Sequence, residues 1–128
     1  MTASPQSSSP KGASRSPITT HVLDTALGRP AAGVPVVLEF QAQEDVFQEI
    51  ARGVTDADGR VSDLLPPETA VARGIYRITF DTGVYYYATG ELGFYPSVTV
   101  LFRIEHEDQH YHIPLLLSPY GYTTYRGS

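Results

Sequence analysis

Residues 74–80 read Gly-Ile-Tyr-Arg-Ile-Thr-Phe and decide the fold class, because apolar and polar side chains alternate along them. Alternation with a period of two is typical of a β-strand that buries one face. Residues 18–24, Ile-Thr-Thr-His-Val-Leu-Asp, alternate in the same way. This second strand places Ile18, Thr20 and Val22 on one face and Thr19, His21 and Leu23 on the other.

Further short stretches have strand composition, and turn residues separate them. The predicted strands cover residues 34–42, 47–54, 97–104, 110–117 and 122–126. Residues 27–33 and 56–60 predict turns, the second with Gly59 available for a positive φ. Asp81 predicts the N-cap of one short helix that Gly90 ends. The pattern predicts an all-β fold, a two-sheet β-sandwich of about seven to eight strands with one short helix.

Composition limits the classes of function. The chain has 128 residues, enough for one domain, and its net charge of −5 argues against a general nucleic-acid or anionic-membrane binder. It has no cysteine, which excludes disulfide scaffolds, thiolate metal sites and cysteine nucleophiles. No apolar run approaches the roughly 20 residues of a membrane span, and the N-terminus lacks the apolar stretch of a secretory signal. We therefore expect a small soluble protein, most simply a cytoplasmic one.

The N-terminal segment differs from the rest of the chain. Residues 1–16 contain six serines and two prolines and almost nothing apolar. Such a segment cannot bury enough surface to offset its conformational entropy. The sequence therefore predicts a disordered tail over residues 1–16 and a folded domain over residues 17–128.

Histidines and one arginine are the residues most able to carry chemistry. If Ile18, Thr20 and Val22 fill the core, His21 points outward from the sandwich, and Arg60 follows a glycine turn. Taken singly, a strand histidine is usually an ordinary surface residue and a turn arginine is usually solvated.

A second group of histidines lies near the C-terminal end. His110 and His112 share one face of a strand, and His106 and Glu105 lie close by in sequence. A His-x-His pair can bind a metal, but a third firm ligand is not clearly supplied. We therefore predict no functional metal site and no cofactor, and leave open an adventitious ion at these histidines.

Three motifs give the chain a family resemblance. They are Thr20-His-Val-Leu-Asp24, Asp58-Gly-Arg60 and the long C-terminal stretch His110-Tyr-His-Ile-Pro-Leu-Leu-Leu-Ser-Pro-Tyr-Gly-Tyr-Thr-Thr-Tyr-Arg-Gly-Ser128. Together they resemble the transthyretin-related proteins, and the final Tyr-Arg-Gly-Ser resembles the hallmark of the 5-hydroxyisourate hydrolases. The resemblance covers residues 17–128.

The resemblance implies a transthyretin-like sandwich that assembles as a homotetramer, with active sites where two dimers meet. An outward sheet face that carries His21, Leu23 and His112, with a single helix in the chain to cover it, also favours an interface. The implied reaction is hydrolysis of 5-hydroxyisourate, an oxidised purine formed from urate. Water attacks a ring carbonyl and yields 2-oxo-4-hydroxy-4-carboxy-5-ureidoimidazoline.

The resemblance also assigns roles residue by residue. His21 or His112 would act as the base for water, because an imidazole titrates near working pH. Arg60 would bind the substrate carbonyls and stabilise the developing oxyanion. The implied catalytic residues are His21, Arg60, His112 and Ser128, and the implied substrate-binding residues are His21, Arg60, Tyr125 and Arg126.

Two other functions compete with hydrolysis. Hormone-carrying transthyretin typically has lysine, glutamate and threonine in place of His21, Arg60 and His112, and it lacks the Tyr-Arg-Gly-Ser ending. The chain therefore resembles the enzymes, and a carrier of small aromatic ligands without chemistry is the alternative. A purely structural β-sandwich, such as an adhesion or carbohydrate-binding domain, would not need histidines on two strands of one face.

Overall fold

Two four-stranded β-sheets form the protein, which we describe from a computed structural model over residues 16–128. The first sheet contains β1 (Ile18–Asp24), β2 (Arg29–Pro30), β7 (Tyr111–Ser118) and β8 (Gly121–Thr124), in the order β2-β1-β7-β8. The second sheet contains β3 (Pro35–Gln43), β4 (Val46–Val54), β5 (Gly74–Phe80) and β6 (Val98–Ile104), in the order β4-β3-β5-β6. This architecture confirms the predicted all-β sandwich.

The core is built from the alternating faces that the sequence predicts. On β1, Ile18, Thr20 and Val22 are all at most 1% exposed. On β5, Tyr76, Ile78 and Phe80 are at most 2% exposed. A strand that buries every second side chain turns the intervening ones outward, so His21 lies on the outer face of the first sheet.

Among the strand pairs of residues 16–128, one is parallel and the others are antiparallel. Strand β1 runs parallel to β7, with Thr19 opposite His112 and His21 opposite Pro114. A parallel pair needs a long crossover connection, and here most of the chain lies between the two strands. The pairing brings the motif at residues 20–24 and the C-terminal motif that begins at His110 onto one sheet.

The last strand is shorter than predicted. The sequence predicts a strand over residues 122–126, but β8 ends at Thr124, and the chain rejoins β7 only through a bridge between His112 and Gly127. Pro114 explains the break, because its carbonyl accepts the Thr124 hydroxyl on this side of β7 and its nitrogen has no hydrogen to donate. Residues 125 and 126 therefore leave the ladder and are able to present their side chains.

The predicted turn at residues 27–33 also holds an unpredicted strand. Asp24 caps the reversal, since its Oδ1 accepts hydrogen bonds from the amides of Ala26 and Leu27. The tight reversal lets Arg29 and Pro30 return beside β1 as the two-residue β2.

The single helix found among residues 16–128 has the predicted caps. Helix α1 (Thr82–Thr89) begins after Asp81, whose carboxylate accepts a hydrogen bond from the amide of Val84. It ends at Gly90, which has φ of 81°, a left-handed conformation that glycine adopts without a Cβ penalty.

Two adjacent tyrosines of α1 are buried in different ways. The Tyr85 hydroxyl donates a 2.6 Å hydrogen bond to Asp24 Oδ2, which ties the helix to the end of β1. The Tyr86 hydroxyl is also buried, and it has no hydrogen-bond partner among residues 16–128. Burial is the main cause that raises the pKa of each phenol to about 12, and the Asp24 carboxylate adds to it.

The predicted disordered tail falls outside the described residues except for Ser16. Ser16 is buried, and its hydroxyl donates to the Ile18 carbonyl and accepts from the Leu65 amide. Between Ser16 and Ser128, the helix is far too short to cross a membrane.

Candidate active site

The outer face of the first sheet carries both predicted catalytic histidines. His21 on β1 and His112 on β7 are half-buried there. Because Thr19 pairs with His112 and His21 with Pro114, the two histidines are offset by two residues along neighbouring strands. Two residues of strand correspond to an offset of roughly 7 Å along the sheet, so the two histidines lie on neighbouring strands of one face.

A tight turn holds Arg60 beside His21. The turn is organised by Asp56, whose Oδ1 accepts the amides of Asp58 and Arg60. Gly59 has φ of 78°, and its ideal Cβ would lie 2.3 Å from the Val22 carbonyl oxygen, so only glycine fits. The Gly59 carbonyl accepts the Val22 amide at 2.8 Å, and His21 forms a β-bridge with Arg60.

The same turn fixes the tautomer of His21. Its Nε2 lies 2.8 Å from the carbonyl oxygen of Asp58. A carbonyl oxygen only accepts, so Nε2 carries the hydrogen and donates it. In the neutral ring Nδ1 is then the nitrogen with a lone pair, and it is the atom of His21 that can take a proton.

The C-terminal tip packs directly on His112. The Gly127 amide donates to the His112 carbonyl at 2.8 Å. An ideal Cβ on Gly127 would lie 2.6 Å from His112 Cδ2 and 3.3 Å from Pro114 Cγ. The imidazole therefore lies against the glycine backbone, and this close approach explains a glycine at position 127.

Three of the four predicted catalytic residues converge on one cavity. The cavity has a volume of about 280 Å³, and all but one of its lining residues have a polar or charged side chain; they are Thr19, Thr20, Arg60, Val61, Ser62, His110, His112 and Ser128. We call it the histidine cavity. The fourth predicted residue, His21, does not line it but is bridged to Arg60 at its edge.

Tyr125 and Arg126 are placed elsewhere. They line a second cavity of about 290 Å³, between β6 and the segment after β8, and His112 contributes to this wall as well. The Arg126 guanidinium lies 4.4 Å from the ring centroid of Tyr111, and its Nη2 donates to Gln109 Oε1 and to the His110 carbonyl. Arg126 therefore binds its own subunit, whereas Tyr125 is 53% exposed at the rim.

Sequence reasoning missed Thr19 as a site residue and considered His110 only as a metal ligand. The Thr19 Oγ1 lies 2.9 Å from His110 Nε2 and 2.8 Å from His112 Nδ1, so one hydroxyl bridges both rings. The only available signal was that Thr19 shares the outward face of β1 with His21. The pairing of β1 with β7, which brings Thr19 to the histidines, is not encoded locally.

The histidines that could have formed a metal site do not do so. Within residues 16–128, no three His, Asp or Glu side chains come together as a set that could hold a metal ion. His106 lines the second cavity, whereas His110 lines the histidine cavity.

Comparison with known proteins identifies the family to which the chain belongs. The model of the HIUase/Transthyretin family matches residues 18–127, which is most of the chain and both histidine strands. The chain belongs to this family. The resemblance stated from the three sequence motifs is thereby confirmed.

Relatives in the HIUase/Transthyretin family cover nearly the whole chain. A curated 5-hydroxyisourate hydrolase of Mus musculus is 47% identical over 114 residues, which is 88% of this chain and 96% of the mouse protein. The solved structure of Klebsiella pneumoniae 5-hydroxyisourate hydrolase has a TM-score of 0.76 and 32% identity, and covers 87% of this chain and 97% of that one. Sea bream transthyretin, solved in complex with thyroxine, has a TM-score of 0.81 and 34% identity, and covers 88% and 95%.

Proposed function

We propose that the chain hydrolyses 5-hydroxyisourate to 2-oxo-4-hydroxy-4-carboxy-5-ureidoimidazoline in the degradation of urate. The observation that carries the proposal is the convergence of Arg60, His112 and Ser128 on one cavity, with His21 bridged to Arg60. The names of the mouse and Klebsiella relatives supply the substrate and the reaction.

Side chains, rather than the backbone, favour the enzyme over a carrier. The backbone resembles sea bream transthyretin and the Klebsiella hydrolase about equally, with TM-scores of 0.81 and 0.76. A carrier needs a shaped surface but no proton acceptor. Here His21 has a fixed acceptor nitrogen and is bridged to Arg60, and His112 lines the same cavity as that arginine. Two imidazoles and a guanidinium on one surface are an arrangement for moving a proton near a developing negative charge.

The proposed reaction needs a base, an oxyanion partner and a proton donor. An imidazole nitrogen, Nδ1 of His21 or Nε2 of His112, takes a proton from water as the oxygen attacks a ring carbonyl carbon. Arg60 donates to the oxygen that becomes negative in the tetrahedral intermediate. The intermediate then collapses with cleavage of the ring C–N bond, and an imidazolium returns the proton to the departing nitrogen.

The C-terminal residues have three separate proposed roles. Ser128 lines the histidine cavity, where its hydroxyl can orient water or the His112 ring. Tyr125 is exposed enough to form the wall of a slot for a planar substrate. Arg126 was expected to bind substrate; because its guanidinium is engaged by Tyr111 and Gln109, we propose that it holds the terminal segment in place.

We also propose that the active unit is a homotetramer with its sites between dimers. In support, Leu23 and Leu116 are only half-buried on the face that carries the histidines, and the histidine cavity is open on one side of a single subunit. Two-fold pairing of such a face would exclude bulk water from the cavity. Light scattering should give four times the chain mass at micromolar concentration, and a stable monomer with full activity would refute the assembly.

We also propose that the protein is located in the cytoplasm. It is supported by the lack of cysteine, since exported domains of this size often depend on disulfides. Fractionation of cells that express the native gene would test it, and recovery in an exported fraction would refute it.

The test of function is the pair His112→Asn and His106→Asn. Asparagine at 112 keeps a polar group near Thr19 but cannot act as a base at neutral pH, so turnover of freshly made 5-hydroxyisourate should fall by about 10²- to 10⁴-fold. His106 lies outside the histidine cavity, and its variant should retain activity. Circular dichroism should show that both variants keep the fold.

Two outcomes would contradict the proposal. Unreduced turnover by His112→Asn would remove His112 from the mechanism. Failure of the wild-type protein to exceed the spontaneous decay of 5-hydroxyisourate, with tight binding of a planar aromatic ligand, would favour the carrier.

A further inference from the structure

A threonine hydroxyl connects two imidazoles at the wall of the histidine cavity. Thr19 Oγ1 lies 2.9 Å from His110 Nε2 and 2.8 Å from His112 Nδ1, and both distances are those of good hydrogen bonds. Thr19 reaches both rings because β1 pairs with β7 in the register that places it opposite His112. The three groups lie on adjacent strands rather than on a loop, so their spacing is set by the sheet.

A hydroxyl has one hydrogen, and this constrains the two rings together. If Thr19 donates to one imidazole nitrogen, it must accept from the other. In the first arrangement Thr19 donates to His112 Nδ1, so the neutral His112 ring carries its hydrogen on Nε2. In the second, Thr19 donates to His110 Nε2 and accepts from His112 Nδ1–H, so His112 Nε2 has a lone pair.

The two predicted catalytic histidines therefore differ in how firmly their hydrogen-bond partners fix the tautomer of the ring. The partner of His21 Nε2 is the carbonyl of Asp58, which only accepts, so a single tautomer of His21 is favoured. The partner of His112 is a hydroxyl that both donates and accepts. His112 can expose either a donor or an acceptor at Nε2 while it keeps its hydrogen bond to Thr19.

We propose that Thr19 and His110 are positioning residues that form a proton relay behind His112. Taken with the proposed function, the relay lets His112 alternate between base and acid. When Nε2 of His112 takes a proton from water, the Nδ1 proton passes to Thr19 Oγ1 while the Thr19 proton passes to His110 Nε2. The positive charge then rests on His110, His112 is neutral with a hydrogen on Nε2, and the reverse transfer restores both rings.

The experiment compares Thr19→Val with Thr19→Ser. Valine keeps the branched shape but removes the hydroxyl, and serine keeps the hydroxyl. We expect Thr19→Val to lower kcat by about 10- to 100-fold, a part of the 10²- to 10⁴-fold that acid–base catalysis supplies, with little change in KM. Thr19→Ser should stay within about threefold of the wild-type kcat, because the relay is intact.

A second variant tests whether the groups act as one unit. His110→Gln should lower kcat by a factor similar to Thr19→Val. The double variant should be no slower than either single variant, since a relay broken once is not broken further. Fully multiplied effects would indicate independent roles and overturn the relay.

A spectroscopic measurement separates this inference from the proposed function. Long-range ¹H–¹⁵N spectra report which ring nitrogen of His112 carries the hydrogen. Thr19→Val should shift that population and Thr19→Ser should not. An unchanged His112 tautomer with unchanged kcat in Thr19→Val would overturn the relay. A shifted tautomer in a protein that does not turn over 5-hydroxyisourate would keep the relay and refute the hydrolase.

Discussion

The contact between the C-terminal tip and His112 predicts the effect of Gly127→Ala. The added Cβ would lie 2.6 Å from His112 Cδ2, whereas carbon atoms in contact are about 3.5–4.0 Å apart. The ring or the tip must therefore move by about 1 Å. A displacement of that size in a catalytic group can cost about 10²-fold in rate, which corresponds to about 2.7 kcal/mol of transition-state stabilisation.

Stability should change much less than activity in Gly127→Ala. Gly127 is joined to the sheet by an isolated bridge with one amide hydrogen bond to His112, so its displacement leaves the core intact. The assay measures kcat/KM for hydrolysis of 5-hydroxyisourate, followed optically. Thermal unfolding of the same variant is measured at a fixed protein concentration. Gly121→Ala is the matched control in the same segment, because its Cβ would meet only Ser118 Oγ at an ordinary 3.7 Å.

Two results would refute the prediction for Gly127→Ala. Wild-type kcat/KM in Gly127→Ala, with His112 ring resonances at their original shifts, would show that the C-terminal tip does not press on the His112 ring. A large loss of thermal stability would also contradict the reasoning, since it would make Gly127 part of the core rather than of the site.

Other predictions concern stability. Tyr85→Phe should lower the free energy of unfolding by about 2 kcal/mol, because it removes a hydrogen bond to the buried Asp24 carboxylate. Tyr86→Phe should leave the free energy of unfolding unchanged or raise it by up to about 1 kcal/mol, because the Tyr86 hydroxyl has no partner among the described residues. Denaturant titrations of the two variants check this contrast. Both phenols titrate near pH 10 when unfolded and at about 12 when folded, so stability should be full below pH 10 and fall between pH 10 and 12, and Tyr86→Phe should flatten that fall in alkaline unfolding curves. Gly59→Ala should cost more than about 2 kcal/mol, since φ is positive and the Cβ would meet the Val22 carbonyl; a variant that melts like wild type would show that the turn adapts.

Local sequence signals predicted the fold well where the conformation of a segment depends on the residues of that segment alone. Alternation assigned the buried faces of β1 and β5, and Asp81 and Gly90 marked both ends of the helix. Gly59 marked a turn that the structure confirms with a positive φ.

The parts that local signals missed depend on contacts between distant residues. The break in the last strand comes from Pro114, ten residues before Thr124 and on a different strand. The resemblance assigned Arg126 to substrate binding, and only the pairing of β7 with the terminal segment places its guanidinium over Tyr111. The bridging position of Thr19 likewise depends on a partner strand far along the chain, which periodicity does not specify.

The parallel pairing of β1 with β7 has a consequence for synthesis. Thr19 and His112 are 93 residues apart, so β1 leaves the ribosome well before β7 and its side toward β7 stays uncovered until β7 has been made. During that interval its main-chain N–H and C=O groups form an open edge, which can pair with a neighbouring nascent chain. A shortage of holdase chaperones should therefore lower the yield of folded protein.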